Sequence, residues 1–270
     1  MRCEARQRCE APAPQRPRLP TIFRVNSLQI ITGYLFVELN DCRSLRMRLL
    51  ASAQAESLKG TVILAPEGIN LQLAGPADAL QRWLDGLQVL PAFATLRVRR
   101  QTTAQWPFAK LLIKCKTEII RMNTAGIRPA AGRAPALAPA VLQRWLQRGH
   151  CDEGRPLALL DTRNDWEVDA GRFAQAIDWR LARFSDFPQA LAEHARELQG
   201  KTVVSYCTGG IRCEKAALLM QQLGLPDVYQ LQGGILDYFE QTENAPHWQG
   251  RCIVFDERGA LAPDESGARA

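Results

Sequence analysis

The stretch TVVSYCTGGIRCEKAALLMQQLG (202–224) constrains the fold more than any other part of the chain. TVVSY carries no charge and reads as a strand buried on both faces. CEKAALLMQQL is built from helix formers and stops at Gly224, a residue suited to a helix C-terminus. Cys207, Thr208, Gly209, Gly210, Ile211 and Arg212 make up the turn between them. A strand buried on both faces needs strands on either side and helices above and below, which specifies a parallel sheet in an α/β domain. Ligands bind at the carboxyl edge of such sheets, and that is where Cys207 sits. Gly209 and Gly210 let the loop curl until its backbone N–H groups converge. Those groups and the helix N-terminus favour an anion at Cys207 and should lower its pKa, while Arg212 adds a fixed positive charge.

The flanking segments continue the alternation. PLALLD and DVYQL read as strands, FAQAID as a weaker one, and SDFPQALAEHARELQ and GGILDYFEQ as helices. Residues 151–245 are therefore expected to form this α/β domain, with 246–270 as a polar tail. Further upstream, ITGYLFVEL, TVILA, LQLAG and ATLRVRR have strand character. SLRMRLLASAQAESL and PADALQRWLDGLQ have helical spacing, and PEGIN supplies a turn. The resulting β-α-β-β-α-β order over 31–101 predicts a ferredoxin-like α+β domain. Residues 102–150 read as a connection: a strand-like run, an Ala/Pro/Gly linker and a short helix. Residues 1–20, rich in proline and arginine, are expected to be a disordered extension.

The chain has 270 residues, enough for about two domains. At 46% hydrophobic it is no disordered chain, yet no apolar run approaches the ~18–20 residues of a membrane span. The N-terminus has arginines but no apolar core of a secretory signal, so the cytoplasm is the expected compartment and no membrane is involved. Eight cysteines and three histidines are scattered without C-x-x-C spacing, so no metal site is expected and the cysteines are expected to be thiols. Charge is uneven: residues 1–130 carry a net +10 and residues 131–270 a net −4. The first half is the candidate polyanion face. Lys110, Lys114 and Lys116 share one parity of a strand-like run and are its candidate RNA-binding residues.

CTGGIR resembles the active loop of rhodanese domains. LLDTRNDWEVDAGRFAQAI (159–177) resembles their second signature, with Asp161, Arg163, Glu167 and Gly171, and with Phe173 where isoleucine is usual. Asp161 is expected to anchor neighbouring loop N–H groups, and Arg163 and Glu167 to form a structural ion pair. Rhodanese-like phosphatases have a loop one residue longer, so six residues suit a persulfide sulfur better than a phosphate. The segments LAPEGIN (64–70), KTEIIRMN (116–123), CTGGIRCEKA (207–216), YQLQGGIL (229–236) and FDER (255–258) extend the resemblance. Their order is similar to that of the tRNA uridine-34 hydroxylases, over residues 31–258. This resemblance implies an acylphosphatase-like N-terminal domain joined to a rhodanese domain. It implies oxygen-dependent formation of 5-hydroxyuridine at the wobble position, with Cys207 as the required cysteine, molecular oxygen as co-substrate and the tRNA anticodon loop as partner. No other cofactor and no stable protein partner can be read. The chain departs from the family in two places: Leu71-Gln72 stand where Gly-Thr is usual, and GALAPDESGARA replaces a cysteine-rich end. The alternative is a sulfurtransferase carrying a persulfide on Cys207. Cys213, six residues on, is either a resolving thiol or a small residue at the helix start.

Overall fold

Two five-stranded sheets organise residues 28–265, the part of the chain that the computed structural model describes. The expected extension at 1–20 lies outside the described residues. The first sheet draws on β1 (Leu28–Phe36), β2 (Lys59–Ala65), β3 (Gly68–Pro76), β4 (Arg99–Thr103) and β5 (Leu111–Cys115). Helix α1 (Cys42–Ala55) follows β1, and α2 (Ala77–Gln88) follows β3. Asp41 caps α1 by accepting from the backbone N–H groups of Arg43 and Ser44. The order is β4-β1-β3-β2-β5. The first four strands are antiparallel in the ferredoxin-like order, and β5 adds itself parallel to β2, with Ile63 opposite Lys114.

Strand alternation decides which face the helices cover. Val62, Leu64, Ile69, Leu71 and Leu73 point to α1 and α2, where they pack with Ala53, Leu80, Trp83 and Leu84. The intervening residues, among them Thr32, Tyr34, Thr61, Ile63, Asn70 and Gln72, line the other face, which the two helices leave open.

The second sheet is parallel throughout, in the order β6-β11-β10-β7-β9. Its elements in chain order are β6 (Ala136–Leu137), α3 (Pro139–Arg148), β7 (Leu157–Asp161), α4 (Asp165–Ala170), β8 (Gly171–Phe173) and β9 (Ile177–Asp178). Then come α5 (Phe187–His194), β10 (Thr202–Tyr206), α6 (Ile211–Gln222), β11 (Val228–Leu231) and α7 (Gly234–Gln241). Three short strands close the series: β12 (Trp248–Gly250), β13 (Cys252–Ile253) and β14 (Ala260–Leu261). All five residues of β10 are buried, as its uncharged sequence requires. One face packs Leu160, Val203, Leu191 and Met220 with α5 and α6; the other packs Leu159, Val204, Trp145 and Ile235 with α3 and α7.

Two stretches differ from the sequence expectation. The connection 102–150 is shared out: β5 completes the first sheet, while β6 and α3 belong to the second. The polar tail begins inside the second domain, where β12 pairs with β8 and Cys252, Val254 and Leu261 are buried in its core. Two- and three-residue strands carry no readable period, so tertiary pairing alone defines them.

Candidate active site

Cys207 stands at the carboxyl end of β10, the central strand, and is fully buried. The backbone N–H of Gly210 donates to its sulfur at 3.1 Å. Gly210 makes this possible with a φ of +96°, a left-handed conformation that glycine adopts without strain. Gly209, expected to share that task, has no positive φ, and a Cβ there would meet nothing within 4 Å. The loop therefore needs only Gly210 for its turn. Thr208 is buried, and Ile211 opens α6.

Burial pushes the Cys207 thiol up. The Cys213 thiol, the Arg212 charge and the backbone N–H groups of Arg212 and Cys213 outweigh it and bring Cys207 well below the ordinary thiol range. Cys213 moves the other way, because burial and the Cys207 sulfur both disfavour a second negative charge. Of the pair, Cys207 is favoured as the thiolate and Cys213 as the thiol, whose sulfur lies 3.7 Å from the Thr162 hydroxyl. Both are free.

Arg212 is held by a buried, two-pronged pair with Glu167, at 2.5 and 2.8 Å. Burial raises the Glu167 carboxyl, but Arg212 more than offsets this and holds it below the usual range. Glu167 also accepts from the Asn164 backbone N–H at the start of α4. The expected Arg163–Glu167 ion pair is not formed. Arg163 instead folds back on Asp161, with contacts at 2.9 and 2.6 Å, and gives Glu167 only a bond to its backbone carbonyl. It reaches the Gly171 carbonyl as well and lies over the rings of Tyr206 and Trp248. Of the loop N–H groups, Asp161 accepts that of Arg163.

The first domain contributes side chains that the sequence did not point out. The Tyr34 hydroxyl donates to Glu214 on α6, and a Cβ on Gly210 would come within 3.1 Å of that hydroxyl. Burial, then the charges of Glu214, Cys207 and Cys213, push the Tyr34 phenol up, so it stays a donor. Arg133 holds the same Glu214 carboxylate at 2.7 Å. Lys215, buried in α6, joins Glu67 at 2.7 Å and Glu118 at 2.6 Å. Glu67, Glu118, Glu214 and Lys215 fall in the quoted segments, whereas nothing in the sequence marks Tyr34 or Arg133. Tyr34 and Arg133 line a cleft of about 1360 Å³ between the open sheet face and the Cys207 loop. Arg97, Arg100 and Arg121 are among its lining residues. Lys110, Lys114 and Lys116 are exposed outside that lining, at the sheet's far edge.

Residues 28–119 match the UPF0176 acylphosphatase like domain, and residues 139–241 match the rhodanese-like domain. Fold and site thus define a two-domain protein in which an acylphosphatase-like sheet closes over a rhodanese-type cysteine loop. A relative from Delftia acidovorans is 56% identical over 234 residues, covering 87% of this chain and 89% of its own. Relatives from Bordetella avium (88% and 98% covered) and Variovorax paradoxus (89% and 91% covered) are each 54% identical. All three are named tRNA uridine(34) hydroxylase, and the chain belongs to that family.

Proposed function

We propose that this protein is an enzyme that hydroxylates uridine 34 of tRNA to 5-hydroxyuridine, with Cys207 as the reacting thiol: one atom of O2 enters at C5 as the hydroxyl and the other leaves as water, with two electrons and two protons drawn from an external reductant. The observation that carries this reading is a stabilised thiolate at the floor of an arginine-lined cleft that two domains build together. A thiolate is the nucleophilic form of cysteine, available at neutral pH only where its surroundings favour the charge. The anticodon loop is single-stranded, so its first base reaches a cleft without melting a helix. Arg212 and Glu167 hold the loop in shape, and the N–H of Gly210 keeps the sulfur oriented. Among the described residues no helix is long and apolar enough to cross a membrane. We infer a cytoplasmic location from the proposed action on tRNA.

The same N–H groups would also stabilise a persulfide, so the test must separate the two chemistries. Nucleosides are measured by mass spectrometry in tRNA from cells lacking the gene, complemented with wild type or with Cys207→Ser. The expected result is loss of 5-hydroxyuridine-derived wobble nucleosides, restored by wild type alone. Unchanged wobble nucleosides with a fall in thiolated ones would replace the hydroxylase reading by sulfur transfer.

A further inference from the structure

Two large aromatic side chains stand exposed at the mouth of the cleft. Phe255 is 50% exposed and lines the cleft; Trp166, 48% exposed, meets it edge to face with ring centroids 6.1 Å apart. Among the described residues the other exposed large apolar side chains, Met47, Val89 and Leu223, carry no ring. Scattered single residues need no explanation, whereas an exposed aromatic pair beside a site marks something that covers it.

Both rings are carried by backbone that is tied to the active loop. Trp166 precedes Glu167, whose carboxylate holds Arg212. Phe255 lies in the turn between β13 and β14, where the Thr208 hydroxyl donates to the Ile253 carbonyl at 3.5 Å. On its other side, Arg258 is clamped by Asp256 and donates to Gln101 of the first sheet at 3.0 Å. The pair is therefore fixed next to the Cys207 loop and not carried by a free segment. The charge around it is complementary to a nucleic acid. Arg97 and Arg121 line the same cleft, and among the described residues neither guanidinium meets a carboxylate; Arg121 bonds the neutral amide oxygen of Asn123. Two exposed rings set at right angles in a cleft with unneutralised guanidinium groups fit an unpaired base with its phosphate, stacked on one ring face, where a protein partner would call for a broader apolar patch.

We propose that Trp166 and Phe255 form a stacking platform for an unpaired nucleobase next to the uridine presented to Cys207. This rests on the tRNA reading above and adds to it the residues that hold the flanking base.

The experiment measures binding of an unmodified tRNA transcript with uridine at position 34 to the full chain at several salt concentrations. Phe255→Ala and Trp166→Ala are each expected to weaken binding by roughly 5- to 100-fold. The log-affinity against log-salt slope is expected to stay unchanged, since stacking releases no counterions. Phe255→Tyr and Trp166→Phe are expected to bind like wild type, because each retains a ring. Cys207 alkylation at fixed pH reports whether each variant keeps its active loop. A readout that needs no truncation is the Trp166 emission, taken as wild type minus Trp166→Phe, which is expected to be quenched by tRNA. Undiminished affinity in the folded Ala variants, or unquenched Trp166 emission with tRNA bound, would overturn the platform while leaving the tRNA reading intact. A wild-type protein that binds no tRNA would overturn both, since no base would be present to stack.

Discussion

Burial and hydrogen bonding pull the Cys207 sulfur in opposite directions, and the donors prevail. Cys213 moves the opposite way: burial and the Cys207 charge hold it as a thiol, and its presence favours the Cys207 thiolate. Alkylation of Cys207, followed by mass spectrometry across pH, should show a midpoint well below the ~8.5 of a free cysteine. Cys213→Ser keeps a donor and should leave that midpoint low, whereas Cys213→Ala should raise it. A wild-type midpoint near the free value would contradict the thiolate. The same shift links to stability. The folded state favours thiolate and the unfolded chain favours thiol, so the contribution is complete above ~8.5 and disappears as pH falls through the lowered folded value. Residue types at this site were legible in the sequence, and their partners were less so. Asp161, Arg163, Glu167 and Arg212 were all singled out, but the pairing of Arg163 with Glu167 was inferred from nearness along the chain. In the structure Glu167 pairs 45 residues away, and a one-dimensional reading has no means of ranking that choice.

At the scale of elements, the Cys207 loop depends on the turn that starts α7. The N–H groups of Ile235 and Leu236 donate to the Cys207 and Thr208 carbonyls at 2.9 and 3.1 Å. Gly234 is what permits this approach: its φ is +66°, and a Cβ would lie 2.4 Å from the Cys207 carbonyl oxygen. Gly234→Ala should therefore displace the loop and raise the Cys207 alkylation midpoint, with loss of hydroxylation. Gly209→Ala, with open space around its Cβ, should leave the midpoint where it is. Equal behaviour of the two variants would show that the α7 turn does not support the loop. The same scale explains what could be read of the fold. The alternating runs of β1 to β3 and the uncharged β10 announce themselves, because one or both faces are buried along several residues. β6 and β12 to β14 do not, because two or three residues among prolines and glycines show no period. β5 is visible as a strand, but nothing local says that it pairs parallel with β2 and extends the first sheet.

Across the whole molecule, the five quoted segments turn out to be one interface. Glu67 of LAPEGIN and Glu118 of KTEIIRMN grip Lys215 of CTGGIRCEKA, YQLQGGIL supports the Cys207 loop, and FDER ties that loop's surroundings to the first sheet. Removing the Lys215 cation would leave two carboxylates facing each other where the domains meet. This arrangement turns the open face of the first sheet toward Cys207 and gives the uneven charge a direction. Lys114 pairs with Ile63, which lines the cleft, and adjacent Ile113 points into the helix-covered core. Lys114 therefore shares the cleft face, with exposed Lys110 and Lys116 flanking β5 at the same parity. Arg97 and Arg121 line the cleft and the lysine edge lies beside β2, whereas Arg100 pairs with Ile31 and turns to Gln81 on α2, away from the open face. Changing all three lysines to alanine should weaken tRNA binding and flatten its log-salt slope by up to ~2 units, at ~0.7 per lost single-strand phosphate contact. Arg97→Ala with Arg121→Ala should flatten it by up to ~1.4 units on the same count. Cys207 alkylation should be unaffected in both sets, because neither touches the sulfur. A slope that changes only in the arginine set would confine the RNA to the cleft and remove the lysine edge from its path.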